Sequence, residues 1–557
     1  MGHLPFLVPL GGALLILILP QDRGVNLDGP LSWVRRWLYL ATMLLTLGVL
    51  LGVRARPQVV FQLPFLRGLL PYGENLAWCY DTLARTTSLL MTSALLLTGV
   101  GNMGGHQSRA QAVLTLLMLA AVIGMCLSWN LVTLLLMAML LEVAVMSRSV
   151  IRVPEESLPH AKHQTWVNLA SLVLLLLALV AGTAEQFGNQ PAWYSADGLA
   201  RDLLVLAALL RMGVYPSPAS TKRRWEVYLL SGGVGIYLWL RLALANPIDL
   251  PFGEWLVPLS WAAIGITSLL AALAPHYSLA VPWLILNQLA YIVLAPYLAP
   301  VTATSLVLLG MVHLVLWIGL LRIDSDLLVS GGHWDRRLRR WAPWPFVVTL
   351  FSLAGAPFTL GGQVRWLALQ ATWQRGWANA VPVLAVLFAL ASVPALQRLR
   401  QDWKRPRRPS TVQPWRLRAA VGAAYVAAAA LLVLGVGGSA WARDLLRPYR
   451  AIAPVDAAAG TPAWSRTLVL ILTGYVVPLL GGTALSRFRR PFAERVTAVF
   501  EWLNAPLEID WLYAAIEWAA DKFKHATGAL AAAIEGPFYL LWTVLCGLAL
   551  AFYLLGK

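Results

Sequence analysis

Charge is scarce in this chain: Asp, Glu, Lys and Arg make up 12% of its 557 residues, against about a quarter in soluble domains. Hydrophobic residues fill 59% and the mean hydropathy is +0.67. No soluble core hides that much apolar surface, so a soluble globular protein is excluded. Cysteine is scarcer still. Cys79, Cys126 and Cys546 lie far apart or in apolar runs, without CxxC or Cys/His spacing, which excludes a disulfide framework and a cluster site. Walker and Rossmann fingerprints are missing as well. So is a large polar loop with paired carboxylates, which weighs against a multispan glycosyltransferase. No cofactor and no metal is expected, and the 26 Trp residues read first as interfacial anchors and packing.

Acidic residues are outnumbered, 26 to 43, for a formal charge of +17. Nucleic acid is nevertheless not the expected partner. The basic residues stand in short loops beside apolar runs, the pattern of a membrane protein, and the expected partner is lipid.

What is present is apolar length. Runs of roughly 17 to 25 residues recur throughout, each long enough to span a hydrocarbon core of about 30 Å. The reading is an all-α integral membrane protein with about sixteen spans. Their expected starts are Leu4, Trp37, Thr86, Ala110, Asn130, Trp166, Ala200, Trp225, Trp255, Ser278, Thr302, Pro345, Ala378, Arg418, Thr467 and Pro537. Unbroken runs of this length exclude a closed barrel. Leu4–Leu19 lacks a basic flank and a small-residue cleavage site, so it is expected to be a retained helix rather than a signal peptide.

Arg35, Arg36, Arg148, Arg152, Lys222–Arg224, Arg336–Arg340, Lys404–Arg408 and Arg487–Arg490 fall in alternate loops, while the opposite loops hold chiefly Arg54, Arg56, Arg67, Arg443, Arg447 and Arg450. The asymmetry predicts a multi-pass protein of the inner (plasma) membrane with both termini outside the cytoplasm. Four regions are expected. Residues 1–109 hold N-terminal spans and an extramembrane hairpin before Asp81, and 110–400 hold a core. Residues 401–488 carry further spans, and 489–557 an amphipathic interfacial helix and a last span. That amphipathic stretch, Phe500–Ile534, mixes Trp502, Leu507, Leu512 and Trp518 with Glu508, Asp510, Asp521 and Lys522. The Arg/Pro-rich loop Lys404–Pro414 is expected to meet anionic headgroups or a partner protein.

Two places join a helix breaker to an arginine inside an apolar run. They are Arg211 followed by Gly213, Tyr215 and Pro216, and Gly355, Pro357, Gly361 and Gly362 followed by Arg365. Discontinuous transmembrane helices look like this, one per half of a transporter-like core, and ordinary proline kinks are the alternative. Ionisable groups inside spans mark functional sites by default. Glu142, Arg211, His313 and Arg365 are the candidates for an ion pathway, with Pro216, Gly355, Pro357 and Gly361 as the broken-helix residues. His313 suits proton transfer near neutral pH, or a structural role bonded to a carbonyl. The arginines fix charge but do not release protons. Arg241, near the end of its run, is expected to snorkel outwards.

Taken in order, several motifs resemble the antiporter-like membrane subunits of respiratory complex I, Mrp cation/proton antiporters and membrane-bound hydrogenases. Tyr80-Asp81-Thr82-Leu83 is similar to that family's Asp-Gly-Leu-Ser at the start of a helix. Asn130-Leu131-Val132-Thr133 through Glu142 resembles the helix carrying its key glutamate, displaced by about one turn. Arg211-Met212-Gly213-Val214-Tyr215-Pro216 resembles Lys-x-x-x-Phe-Pro, with Arg for Lys. Gly235-Ile236-Tyr237-Leu238-Trp239-Leu240-Arg241, Asn287-Gln288-Leu289-Ala290-Tyr291 and Met311-Val312-His313 look like further family segments. Ser352 through Gly361 and Arg365 resembles the second broken helix.

The resemblance implies an antiporter-like fold with two inverted repeats. It implies a membrane subunit of an energy-coupling complex that takes part in proton or cation translocation. Such a subunit is not catalytic alone but belongs to an assembly of the NADH:quinone oxidoreductase or hydrogenase kind. Its implied partners are other membrane subunits and a hydrophilic one. Departures are equally plain: the family's titratable His and Lys positions fall at Val227, Gly233 and Trp317. That keeps open a structural, non-conducting subunit. The membrane half of a two-component inorganic-carbon uptake system is also open.

Overall fold

A computed structural model describes residues 5–19, 30–53, 56–63, 76–101, 108–150, 158–183, 192–212, 228–245, 250–329, 342–402, 414–452, 464–488 and 493–504, with a few positions between 518 and 525. They fall into two units, Met1–Phe500 and Glu501–Lys557.

The first unit begins with α1 (Leu7–Ile18) and α2 (Pro30–Gly52), followed by an antiparallel hairpin of β1 (Arg56–Leu63) and β2 (Leu76–Tyr80). Next come α3 (Thr82–Gly101), α4 (Arg109–Leu127), α5 (Leu131–Val150), α6 (Leu158–Thr183) and α7 (Gly198–Arg211). A π-turn at Tyr228–Gly232 opens α8 (Gly233–Ala245). Then follow α9 (Gly253–Leu273), α10 (Tyr277–Leu298), α11 (Pro300–Val329), α12 (Trp344–Leu353), α13 (Leu360–Gln374), α14 (Ala380–Asp402) and α15 (Pro414–Leu446). A second π-turn, Leu472–Val476, joins α16 (Trp464–Ile471) to α17 (Val477–Phe488), and α18 covers Ala493–Asn504.

Helices stand at fifteen of the sixteen expected starts, and the sixteenth, near Pro537, lies outside the described residues. α2 begins at Pro30, earlier than expected. Ten of the described helices are long and apolar enough to cross a membrane; Leu7–Ile18, Trp166–Gly182, Leu229–Ala245 and Trp344–Leu353 are shorter apolar helices. The protein is thus a multi-pass helical membrane protein, with one small hairpin among the described residues.

Burial sorts the helices by position. α8 is buried from Gly233 to Leu244, and α10 and α11 are buried along most of their spans. α2, α9 and α17 expose leucines and valines on their outer faces. In a bilayer those faces cost nothing, because lipid tails are as apolar as leucine. α10 packs between α9 and α11, and α11 also meets α13 and α15.

Local signals set the ends. Ser108 and Gln111 form a reciprocal capping box at the start of α4. The hairpin is pinned to the start of α5: Trp129 N–H donates to Ala77 O (2.9 Å) and Ala77 N–H to Thr133 Oγ1 (2.8 Å).

In the second unit, Trp502 and Trp518 are exposed, and Lys522 lies 5.9 Å from the Trp518 ring. Most of the expected interfacial helix lies outside the described residues.

Candidate functional site

Glu142 and Arg211 come together although they stand on separate helices. Glu142 on α5 is 2% exposed and Arg211, the last residue of α7, is 1% exposed; Nη1 lies 3.0 Å from Oε1. Asn168 of α6 is in hydrogen-bonding reach of the same carboxylate. Among the described residues, Arg211 Nε and Nη2 have no hydrogen-bond partner in the chain. A buried ion pair with unused donors is costly to keep. Its carboxylate is also able to accept a proton. Met212 caps the end of α7, and Gly213, Tyr215 and Pro216 lie outside the described residues.

The second break is described in full. α12 stops at Leu353 and α13 starts at Leu360. Gly355 has φ +75°. Its N–H donates to Ser352 O (3.0 Å), while Ala356 N–H donates to Phe351 O (2.9 Å), the paired bonds of a Schellman stop. Thr359 then caps α13, accepting from Gly362 N–H (3.2 Å). Pro357 lies within the connecting turn, where no helical N–H is needed.

Arg365 folds back across this gap. Its Nη2 donates to Leu353 O (2.6 Å) and Nη1 to Ala354 O (2.7 Å). These are terminal carbonyls of α12 that helix geometry leaves unpaired. The guanidinium also lies over Phe388 of α14, 4.9 Å from the ring centroid. A Cβ on Gly355 would strike the guanidinium, and one on Gly361 would strike the Ser352 carbonyl.

His313 of α11 completes a polar chain through the same gap. Gly361 N–H donates to Ser352 Oγ (3.0 Å), and Ser352 Oγ lies 3.1 Å from His313 Nε2. His313 Nδ1 lies 3.0 Å from Gln288 Oε1, and Gln288 Nε2 donates to Gly310 O (3.4 Å). Because the Gln288 amide donates through its nitrogen, its oxygen accepts, so Nδ1 carries the imidazole proton. The Ser352 hydroxyl can donate to Nε2 when the ring is neutral and accept from it when the ring is protonated. A cavity of about 40 Å³ adjoins this chain, lined among others by Tyr291, His313, Ser352 and Arg365.

Of the pathway candidates, Glu142 and Arg211 thus meet in one centre, and His313 and Arg365 in another. Gln288, Ser352 and Asn168 were not among the candidates. Their signal was a polar residue in an otherwise apolar span.

Arg241 requires a correction. It does not snorkel outwards; it is 4% exposed and ion-paired with Asp81 through Nη2. Nε donates to Tyr237 Oη (2.9 Å), which donates to Cys126 O (2.6 Å). Tyr194 and Tyr449 stack their rings against the guanidinium at 4.9 and 5.3 Å. Asp81 also caps α3 through Ala84 N–H (2.7 Å). The side chain turns inward because this carboxylate and these rings repay its desolvation better than the interface does. Among the described residues no cluster of His, Cys, Asp and Glu is placed to hold a metal ion.

Fold and site together define a polytopic helical membrane protein with buried polar centres, and solved structures show the same architecture. A chain of the Mrp complex from Dietzia sp. superposes with TM-score 0.73 at 17% identity, over 100% of this chain and 63% of that one. This chain thus spans 63% of the Dietzia chain's length. A chain of the membrane-bound sulfane sulfur reductase, an archaeal respiratory membrane complex, gives TM-score 0.65 at 15% identity, covering 98% and 99%. One from respiratory complex I of Thermus thermophilus gives 0.60 at 18%, covering 81% and 98%. No protein-family model and no curated protein sequence matches the chain. The chain therefore has the antiporter-like fold of these complexes' membrane subunits.

Proposed function

We propose that this chain is an ion-translocating membrane subunit of a hetero-oligomeric energy-coupling complex, with protons moving through its two buried polar centres. The observation that carries this reading is the His313 chain, Gly361–Ser352–His313–Gln288, built across a helix break inside the membrane. A proton arriving at Nε2 makes both ring nitrogens donors. Ser352 accommodates it by rotating one hydroxyl, since its oxygen still accepts from Gly361 and now from Nε2–H. The proton then leaves from Nε2 into the adjoining cavity, which His313 lines, because the Gln288 amide oxygen holds Nδ1–H without taking its proton. Glu142, a buried carboxylate with one oxygen toward Arg211, supplies the second protonatable group. Arg211 and Arg365 hold fixed charge.

The neighbours come from an Mrp complex, an archaeal respiratory membrane complex and respiratory complex I. That supports other membrane subunits as partners here, and a hydrophilic subunit is proposed beside them. Loop charge supports an inner-membrane location with both termini outside the cytoplasm. On this reading residues 110–400 are the conducting core, and 1–109, 401–488 and 489–557 flank it.

A non-conducting structural subunit is the second reading. It is favoured by arginine at both mid-membrane cation positions, since guanidinium holds its proton. Proton uptake by proteoliposomes of the purified complex separates the two. Glu142→Gln lowers flux about 10²-fold if the carboxylate transfers protons. Unchanged flux leaves the structural reading standing.

A further inference from the structure

We propose that the cavity beside Arg365 is a binding site for a small monovalent inorganic anion of chloride size, held by Arg365 and Tyr291. The inference stands apart from the translocation reading, because it needs no ion to cross the membrane.

Space is the first observation. The cavity of about 40 Å³ exceeds the roughly 10–15 Å³ that one water needs. It is bounded by polar groups on α10, α11, α12 and α13, and by the apolar side chains of Leu284, Val364 and Phe388.

Charge is the second. Arg365 is buried, its cation is permanent, and no carboxylate pairs with it among the described residues. The C-terminus of α12, where Arg365 binds two carbonyls, supplies roughly half a negative charge. The N-terminus of α13 opens on the same cavity at Gly361 and returns roughly half a positive one. The local field therefore stays close to that of one cation. Buried charges are ordinarily compensated. A cation is repelled here, and water brings no charge.

An unused donor is the third. The Tyr291 side chain lines the cavity, is 6% exposed, and its buried hydroxyl has no hydrogen-bond partner among the described residues. Its ring packs on Phe388 at 5.3 Å, the ring that also stacks on Arg365. One aromatic spacer thus sets both the phenol and the guanidinium at the same cavity. A phenolic O–H and a guanidinium offer donors, as an anion requires.

The test is thermal unfolding of the purified full chain at constant ionic strength, with chloride or bromide replacing gluconate. Chloride and bromide are expected to raise the midpoint by a few degrees in a saturable way, and gluconate not to. Tyr291→Phe keeps the ring and removes one hydrogen bond to a charged group, so it should weaken apparent chloride affinity about tenfold. Arg365→Gln should abolish the saturable response. Anomalous scattering from bromide-exchanged crystals supplies a reading independent of folding, with a peak expected between Arg365 and Tyr291. An equal response to gluconate, an unaltered chloride affinity in Tyr291→Phe, or water-only density at that place overturns the assignment.

Discussion

Asp81 and Arg241, 160 residues apart in sequence, form a buried ion pair that ties the start of α3 to the middle of the molecule. Asp81 serves two purposes at once, since Oδ1 accepts from Ala84 N–H while Oδ2 pairs with the guanidinium. Arg241 likewise divides its donors between Asp81 and Tyr237.

That division makes Arg241→Lys a non-conservative change, because an ammonium has no planar fork to reach both partners. The variant should lose about 1.5–3 kcal/mol, the value of one hydrogen bond to a charged group. Thermal unfolding in detergent checks it, and a midpoint equal to that of the unaltered protein counts against the geometry.

Breaking the Glu142–Arg211 pair should cost more. Glu142→Ala strands a guanidinium that is 1% exposed, for an expected loss of about 3–5 kcal/mol. The double change Glu142→Leu with Arg211→Met should recover most of it, because an apolar pair of similar volume carries no desolvation cost. Denaturant unfolding of the three variants measures the coupling.

Gly355 and Gly361 carry the second break. Gly355→Ala meets a left-handed backbone and the Arg365 side chain. The backbone alone costs roughly 1–2 kcal/mol. Gly361→Ala drives a methyl into the Ser352 carbonyl and against the histidine ring, so it should be worse. Gly437→Ala, where nothing lies within 4 Å, should leave the unfolding midpoint unchanged.

Cys79, on β2 next to Asp81, is pushed up to about 12, first by burial and then by the Asp81 charge. Only the thiolate is a nucleophile. At pH 8 a maleimide should therefore leave Cys79 unmodified in the folded protein and label it once denatured, as peptide mass mapping would show.

How much of this was legible beforehand follows from how far each signal reaches along the chain. Apolar length is local, so helices stand where fifteen of the runs begin, and Gly355, Pro357 and Gly361 marked a break that lies where they stand. Each ionised residue announced itself by being charged inside an apolar run, but not what it meets. Glu142 and Arg211 both stood out singly; that they pair is a property of α5 against α7. Arg241 was misread for the same reason. Near the end of its run it looks like any snorkelling arginine, and its partner Asp81 is brought up by the hairpin and α3. Tyr291 stood out only as the end of a family-like segment, since a tyrosine in an apolar run reads as packing until its hydroxyl is seen to lack a partner.

The most direct measurement of the central claim is the charge-movement current of the assembled complex on a solid-supported membrane, comparing the unaltered chain with His313→Ala and Ser352→Ala. Native electrophoresis shows that equal amounts of complex are loaded. If protons pass by way of His313, held in the Gly361–Ser352–His313–Gln288 chain, His313→Ala should lower the proton current about 10²-fold, and Ser352→Ala by less. A full-sized current from His313→Ala would contradict the account and place the conducting path elsewhere.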